Sequence, residues 1–401
     1  MISALMPTYN RTNLAFKKGK GVWLYTEDGK EFLDFGAGIA TSAVGHNHSH
    51  LIETIIDQAK HVIHVSNLYR IPQAERLAQR FVEISFADSV FFCNSGAEAN
   101  EGLIKAIRRA QNRNGHPERT SILCFNHAFH GRTLATLSAT GNPKYLDGFG
   151  SPVPGFDHVE LGNIDLVRQA INEKTAGILL EPIQGESGVN VVPDEFLREL
   201  RSLCDEKGIY LGFDEVQSGM GRTGKLFAHE WSGVKPDIIS VAKGIAGGVP
   251  MGAILAKESI AKHLTAGSHG STFGGNPLAC AAGNAVLDIV LEPNFLNNVV
   301  EKGHLLFTAL QNLVQTYPDV FETVRGRGLI LGIKGKLPAA EIQNAALYEN
   351  LLTVTAGGNV IRIVPPLIVS NEECLEGVRR LAAAAEKLTA SLKNSKVKAT
   401  L

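Results

Sequence analysis

The segments IYLGFDEVQ (residues 209–217) and IISVAKG (residues 238–244) decide the fold class of this chain, because each is a short apolar run that leads into charged residues. The apolar runs SILCF (residues 121–125) and AGILL (residues 176–180) are similar. Helical patterns lie between them, such as residues 194–207 with apolar side chains at helical spacing. This alternation predicts right-handed crossovers and an α/β fold whose central sheet is mainly parallel and flanked by helices. Ligands bind such sheets at the carboxyl ends of the strands, so the residues that follow each strand are candidates for a functional site.

The two ends of the chain have a different pattern. Residues 21–25 and 31–35 flank an Asp28-Gly29 turn, which predicts an antiparallel hairpin. After Pro277 the sequence predicts these elements in order: a helix to about residue 291, another helix, strands over 324–334 and 360–364, and a last helix from about residue 371. We therefore expect a large domain (residues 51–290) and a smaller α+β domain formed from both chain ends (residues 1–50 and 291–401).

Composition and charge argue against several kinds of partner. The chain has 401 residues with 39 Lys and Arg against 40 Asp and Glu, so we expect neither nucleic acid nor an anionic membrane as a partner. The opening MISALMPTYNR has no basic region followed by an apolar run, which argues against a signal peptide, and no apolar stretch approaches the length of a membrane span. The five cysteines are odd in number and far apart, which indicates buried thiols in a reducing compartment, and we expect the cytoplasm.

Two acids follow the strand that ends at Phe213. Burial makes each carboxylate of Asp214 and Glu215 costly unless a positive group compensates it. A pyridinium nitrogen is one such group. The alternative is that the two acids cap the turn that follows.

Lys243 follows the next strand between two small residues, Ala242 and Gly244. Burial there would lower the pKa of its amine toward a reactive neutral form. The alternative is a surface lysine whose ammonium reaches water while its stem packs on the protein. Together with Asp214 at the end of the preceding strand, however, Lys243 meets two requirements of pyridoxal phosphate, a Schiff-base lysine and an acid for the pyridinium nitrogen.

The segment NSGAEANE (residues 94–101) follows an apolar run and opens a predicted helix. Small residues at a helix start expose backbone N–H groups, and the helix dipole favours a phosphate there. The alternative is an ordinary N-cap with acids in the first turn.

Five motifs give the chain an almost end-to-end resemblance to the class-III pyridoxal-phosphate-dependent aminotransferases: FFCNSGAEANE, EPIQGESG, FDEVQSGMGRTG, AKGIAGGVPMG and HGSTFGGNPLA, in the family's order. The segments PTYNR, LDFGAGIATSAVGH and TAGGNVIRIVPPL look most like the branch of the family that acts on N2-acetylornithine. The resemblance implies a fold-type-I transferase, pyridoxal 5'-phosphate as cofactor, and transfer of the terminal amino group of N-acetylornithine to 2-oxoglutarate. It further implies N-succinyl-diaminopimelate as a second substrate.

The resemblance implies roles at the cofactor ring. Lys243 would form the Schiff base and carry the proton between substrate and cofactor, and Asp214 would pair with the ring nitrogen. These two are the implied catalytic residues. Gln217 would bond the ring hydroxyl, while Val216 and Phe129 would cover the two faces of the ring.

The resemblance also implies a phosphate site and a homodimer. Ser95, Gly96 and Ala97 would hold the phosphate within one subunit. In this family the threonine at the position of Thr272 reaches the phosphate across a dimer interface, so the active site would be shared between two copies of the chain.

Substrate carboxylates call for arginines. The resemblance places Arg132, helped by Tyr9, on the carboxylate remote from the reacting amine, and Arg362 on the α-carboxylate of glutamate. When the substrate is acetylornithine, Glu186 would pair with Arg362 instead. Ser271 is implied as a further substrate-binding residue. The alternative for Arg362 is a structural ion pair on a strand.

Some features depart from the pattern or imitate other sites. Ile39 stands where ornithine-specific relatives carry an aromatic residue, which argues against free ornithine as the main substrate. Residues 219–225 imitate a phosphate-binding P-loop, but Leu226 replaces the required Ser or Thr, so we expect no nucleotide. The histidines in HNHSH (residues 46–50) have no suitably spaced cysteine or carboxylate, so we expect no metal.

Other functions remain open from the residues. A related enzyme could act on 4-aminobutyrate or ornithine, or be an aminomutase with the same cofactor. A non-catalytic ligand-binding protein is the remaining alternative, and the presence of Lys243, Asp214, Arg132 and Arg362 together argues against it.

Overall fold

Apolar runs form strands at most of the positions that the sequence predicts. The computed structural model describes residues 4–399. The strands are β1 (Phe16–Lys20), β2 (Trp23–Thr26), β3 (Glu31–Asp34), β4 (Ser89–Cys93), β5 (Ser121–Phe125), β6 (Phe156–Val159), β7 (Thr175–Leu180), β8 (Ile183–Gln184), β9 (Asn190–Val191), β10 (Tyr210–Asp214), β11 (Ile238–Val241), β12 (Gly252–Ala256), β13 (Phe321–Arg327), β14 (Ile330–Gly335), β15 (Leu351–Leu352), β16 (Val354–Ala356) and β17 (Val360–Ile363).

Helices connect and cover these strands. They are α1 (Ala37–Ala40, a distorted turn), α2 (Ser49–His61), α3 (Pro72–Ile84), α4 (Gly96–Arg113), α5 (Leu134–Thr140), α6 (Pro143–Leu146), α7 (Ile164–Ala170), α8 (Asp194–Lys207), α9 (Glu258–Ala261), α10 (Pro277–Val290), α11 (Phe295–Thr316), α12 (Ala339–Tyr348) and α13 (Asn371–Ala399), with 3-10 turns at Ala228–Trp231 and Lys243–Ala246. Within residues 4–399, no helix has both the length and the apolar character needed to cross a membrane.

The central sheet has the strand order β4-β12-β11-β10-β7-β5-β6. The five strands from β11 to β6 are parallel, which confirms the predicted mainly parallel sheet. Strand β12 is antiparallel to both of its neighbours, β11 and β4, so β4 has the same direction as the five parallel strands; the sequence did not predict this reversed strand. Helix α4 packs on several of these strands. The predicted helix over 194–207 is α8, whose apolar residues are buried, and each such side chain stabilises the fold by about 1.5–3 kcal/mol.

The two chain ends share one small α+β unit. The predicted hairpin is present as β2 and β3, and β3 pairs in parallel with β15 from the C-terminal region. Leu33 and Phe35 lie in the same apolar core as Val299 and Ile361. We propose on this basis that the domains divide near residues 50 and 290.

The strand expected over residues 324–334 is a hairpin of β13 and β14, so that expectation was wrong. Gly328 explains the turn, because its φ of +58° is in the left-handed region that favours glycine. A Cβ at this position would lie 2.6 Å from the backbone carbon of Thr223, so the turn also needs glycine for its close approach.

The P-loop-like segment at residues 219–225 contacts the small α+β unit. Arg222 is buried, and its guanidinium donates to the carbonyl oxygens of Leu329 and Pro365 in that unit. Burial lowers the pKa of Arg222 to about 9. This segment therefore makes a structural contact through Arg222.

Candidate active site

Residues that follow four neighbouring parallel strands line one cavity of about 440 Å³. Phe129 follows β5, Glu181 follows β7, Asp214 ends β10, and Lys243 follows β11. This is the place that the strand-end argument predicts, because parallel strands present their carboxyl ends at the same edge of the sheet.

Asp214 is buried and its carboxylate is fixed by three contacts. Its Oδ2 accepts from Nδ2 of Asn100 at 2.7 Å and lies 2.8 Å from Nδ1 of His130, while its Oδ1 accepts from the backbone N–H of Val216 at 3.0 Å. Ser240 donates to Oδ1 of Asn100 at 2.6 Å and so orients that amide toward Asp214. Sequence reasoning missed Asn100 and Ser240 as supports for this acid.

Glu215 has a structural role that differs from the role of Asp214. Its carboxylate accepts from Ser218 and from the backbone N–H groups of Ala228 and His229. The capping alternative is therefore the correct interpretation for Glu215, whereas Asp214 faces the cavity.

Lys243 begins a 3-10 turn and has a φ of +46°, a conformation that costs free energy for a residue other than glycine and is found most often at functional sites. Burial lowers the pKa of its amine to about 8, and the charge of Arg362 acts in the same direction. The carboxylates of Glu186, Asp214 and Glu181 oppose this shift. A substantial fraction of the amine is consequently neutral near pH 8, as a nucleophile or a base requires.

Both interpretations of NSGAEANE, an N-cap and an anion site, apply at the start of helix α4. Ser95 is the N-cap, and its hydroxyl accepts from the backbone N–H of Glu98 at 3.1 Å. Gly96 and Ala97 line the cavity in the first turn, where N–H groups have no acceptor within the helix. This end of the cavity is therefore suited to an anion.

Val216 and Phe129 both line the cavity, as the interpretation of a covered ring requires. A Cβ on Gly96 would lie 2.7 Å from Cγ1 of Val216, so glycine keeps the cavity open at this point. Glu181 accepts from the backbone N–H of Phe129 at 2.9 Å. Burial, together with the charge of Asp214, raises the pKa of Glu181 well above its usual range. Sequence reasoning missed Glu181.

Arg362, Glu186 and Gln217 form a connected polar group beside the cavity. Nη1 of Arg362 donates to Oε1 of Glu186 at 2.6 Å and to Oε1 of Gln217 at 2.7 Å, and Gln217 donates to Glu186 at 3.1 Å. Arg362 is fully buried, and its Nε and Nη2 have no partner in the described part of the chain. Burial disfavours the charged form of Glu186, but Arg362 together with Lys243 and Gln217 lowers its pKa.

Four predicted substrate and phosphate residues have different placements. Arg132 is exposed and lines the cavity. Tyr9 is 74% exposed and does not line it. Ser271 bonds Nδ2 of the cavity residue Asn94 at 3.1 Å, and Thr272 lines a separate open groove. A single copy of the chain therefore does not bring Tyr9, Ser271 and Thr272 into the cavity.

Two of the three histidines in residues 46–50 contact a single acid each. His46 lies 2.8 Å from Asp34, and His50 lies 2.9 Å from Asp288. Among residues 4–399, no three or more His, Cys, Asp or Glu side chains are grouped so that they could hold a metal ion.

Comparisons with known proteins agree on one family. The family model described as Aminotransferase class-III matches residues 5–385. The acetylornithine aminotransferase of Brucella melitensis is 53% identical over 97% of this chain and 96% of its own, and that of Agrobacterium fabrum is 54% identical over 96% and 97%. Among solved structures, an ornithine aminotransferase of Toxoplasma gondii with partial occupancy of PLP at its active site has a TM-score of 0.92 and 28% identity, over 96% of this chain and 93% of that one.

Proposed function

The chain belongs to the class-III aminotransferases, which are pyridoxal-phosphate-dependent enzymes, and from this premise we propose that it acts on N2-acetylornithine. The terminal amino group would pass to 2-oxoglutarate, giving N-acetylglutamate 5-semialdehyde and glutamate, a reaction of arginine biosynthesis. N-succinyl-diaminopimelate, an acylated ω-amine of lysine biosynthesis, is a further proposed substrate.

The cavity residues fit the cofactor. Asp214 offers a fixed, buried carboxylate to a protonated ring nitrogen, and the start of α4 offers open N–H groups to the phosphate. Lys243 offers an amine with a lowered pKa in the same cavity. Pyridoxal phosphate, when bound, supplies an electron sink for a carbon that loses a proton.

The side chains of the protein would supply the remaining chemistry. The neutral Nζ of Lys243 would accept the proton from the substrate carbon that bears the amino group. Asp214 would keep the proton on the ring nitrogen, because Asn100 and His130 fix its carboxylate in one position. Val216 and Phe129 would exclude water from the two faces of the ring.

The contact between Arg362 and Glu186 is the observation that supports a terminal amine as the donor, and the relatives support N-acetylornithine among such amines. Glutamate brings two carboxylates, whereas N-acetylornithine brings none near its terminal amine. With N-acetylornithine, the 2.6 Å pair of Arg362 and Glu186 would stay closed. With glutamate, the α-carboxylate would replace Glu186, and the unpartnered Nε and Nη2 of Arg362 would offer it further hydrogen bonds. Arg132 would bind the remote carboxylate of either substrate.

Single amino donors mixed with the cofactor-loaded protein test this proposal. We expect fast conversion of the cofactor from its pyridoxal to its pyridoxamine form, followed by absorbance, with N-acetylornithine and with glutamate. Conversion should be much slower with 4-aminobutyrate and free ornithine. Fast conversion by 4-aminobutyrate but not by N-acetylornithine would overturn the choice of substrate and leave the family unchanged.

Replacement of Glu186 by alanine should affect the two half-reactions unequally. The variant leaves Arg362 as an unpaired buried charge when N-acetylornithine binds, but glutamate still supplies a carboxylate. We expect the ratio of the two kcat/KM values to move by about 10-fold or more toward glutamate, which corresponds to about 1.4 kcal/mol. Stopped-flow absorbance with each substrate measures this ratio.

Glu322 supplies the matched control for this change, since it pairs with Lys334 on the surface of the small domain. Glu322→Ala should leave both half-reactions unchanged. Equal losses in the two half-reactions of Glu186→Ala would support a purely structural ion pair.

We also propose a homodimer. Thr272 lies outside the cavity of its own chain, in an open groove that Leu68 also lines. Leu68 and the neighbouring Phe273 are 88% and 59% exposed, and exposed apolar groups of this size favour a protein partner. A second copy that covers this groove would bring Thr272 to the partner's phosphate site. Sedimentation equilibrium that gives only the 43.1 kDa mass of one chain would contradict the dimer.

The cytoplasm is the compartment we propose. All five cysteines are buried and unpaired, which suits a reducing environment. Cell fractionation that recovers the enzyme only outside the cytoplasm would contradict this.

A further inference from the structure

The guanidinium of Arg132 is supported by aromatic rings. Its Cζ lies 4.0 Å from the ring centroid of Tyr145 and 5.4 Å from that of Phe129. The two rings contact each other edge to face, with centroids 6.1 Å apart and planes at 90°. Across residues 4–399, Arg132 forms no ion pair or hydrogen bond with an acidic side chain.

An aromatic ring and a carboxylate would hold the guanidinium of Arg132 in different ways. A ring attracts the guanidinium through its face, whereas a substrate carboxylate binds the N–H groups along the edge of the guanidinium plane. A ring can therefore fix the side chain without competing for the N–H donors. An acidic partner would occupy those donors and neutralise the charge.

Tyr145 is held in place by its local structure. It belongs to the short helix α6, whose N-cap Asn142 accepts from the backbone N–H of Lys144 at 3.1 Å. The preceding Gly141 has a φ of +66° and ends helix α5. The hydroxyl of Tyr145 makes no hydrogen bond within the described chain, so the ring is the part that acts on Arg132.

We propose that Tyr145 is a positioning residue that sets the affinity for substrates with a carboxylate remote from the reacting amine. It fixes the guanidinium of Arg132 by its ring face and leaves the N–H edge open for bidentate binding. Phe129, which would cover one face of the cofactor ring, contacts the same guanidinium. This inference rests on the proposed role of Arg132 in binding the remote carboxylate.

The test compares Tyr145→Leu, which removes the ring face, with Tyr145→Phe, which keeps it. Tyr145→Leu should raise KM for both N-acetylornithine and glutamate by about 3- to 20-fold, in line with the strength of cation–π contacts, and change kcat less than about twofold. Tyr145→Phe should stay within about twofold of the wild type in both constants. Circular dichroism confirms that the variants are folded.

A substrate without the remote carboxylate separates positioning from general packing. N-acetyl-1,4-diaminobutane is N-acetylornithine without its carboxylate, so Tyr145→Leu should leave its kcat/KM unchanged. An equal loss with this amine would overturn the inference, because Tyr145 would then shape the cavity without acting through Arg132.

The variant Arg132→Gln distinguishes failure of this inference from failure of the proposed function. It should raise KM for both carboxylate substrates, and adding Tyr145→Leu should then have little further effect. If Arg132→Gln leaves both KM values unchanged, the carboxylate role of Arg132 is wrong and the inference falls with it. If Arg132→Gln raises KM but Tyr145→Leu does not, only the role of Tyr145 is wrong.

Discussion

Replacement of Lys243 by alanine is expected to lower the turnover number by about 10⁴-fold or more. A positioned general base alone contributes about 10²- to 10⁴-fold, and Lys243 would also provide the covalent attachment of the cofactor. Steady-state kinetics with N-acetylornithine and 2-oxoglutarate measures the loss. Borohydride reduction followed by peptide mass spectrometry should place the cofactor on the Lys243 peptide of the wild type and on no peptide of the variant.

The exposed Lys225 in the P-loop-like segment is the matched control, and Lys225→Ala should keep normal turnover.

The pH dependence provides a second measurement. Because the pKa of Lys243 is lowered from 10.5 to about 8, its neutral fraction grows as the pH rises through 8. Capture of added cofactor by the apo-protein should therefore accelerate between pH 7 and 9 and then level off. Substantial turnover by Lys243→Ala would remove this lysine from the mechanism.

The residues that directly follow strands in the site could be predicted because the local sequence pattern determines their position. Asp214 and Lys243 each follow an apolar run, and the alternation of strands and helices determines where those runs end, whereas only the family resemblance indicated Phe129. The antiparallel direction of β12 could not be predicted in this way. Buried parallel and antiparallel strands have the same apolar pattern, and only their pairing distinguishes β12 from β11.

The supports of the site depend on tertiary structure. Asn100 comes from helix α4 and Ser240 from β11, yet both act on Asp214, which lies 114 residues beyond Asn100 in the chain. The pair of Glu186 and Arg362 spans 176 residues, and only the family resemblance indicated it. Tyr145 had no motif at all, because a ring that packs on a guanidinium is visible only in three dimensions.

Replacement of Asp214 by alanine should lower kcat by about 10²- to 10³-fold or more while changing KM far less. Removal of one fixed group that stabilises charge in a transition state typically costs this much. The carboxylate is needed most when the ring nitrogen must stay protonated, which is during proton transfer and not during substrate binding. Separate measurement of kcat and KM for both substrates tests this, and Asp214→Asn should resemble alanine because its amide carries no charge.

Asp237 provides the control for this prediction. It is also a poorly exposed acid beside β11, but it lies away from the cavity and pairs with Arg201 and Lys257. Asp237→Asn should lower thermal stability with little effect on kcat, whereas Asp214→Ala should lower kcat with little effect on thermal stability. His130→Ala removes one contact to the carboxylate and should give an intermediate loss of kcat, because Asn100 still fixes Oδ2. Near-normal turnover by Asp214→Ala would show that the ring nitrogen does not need this acid. An equal loss of kcat in Asp237→Asn would indicate that removing any buried acid from the sheet lowers kcat. The difference in kcat between the two variants therefore decides whether Asp214 acts on the chemistry.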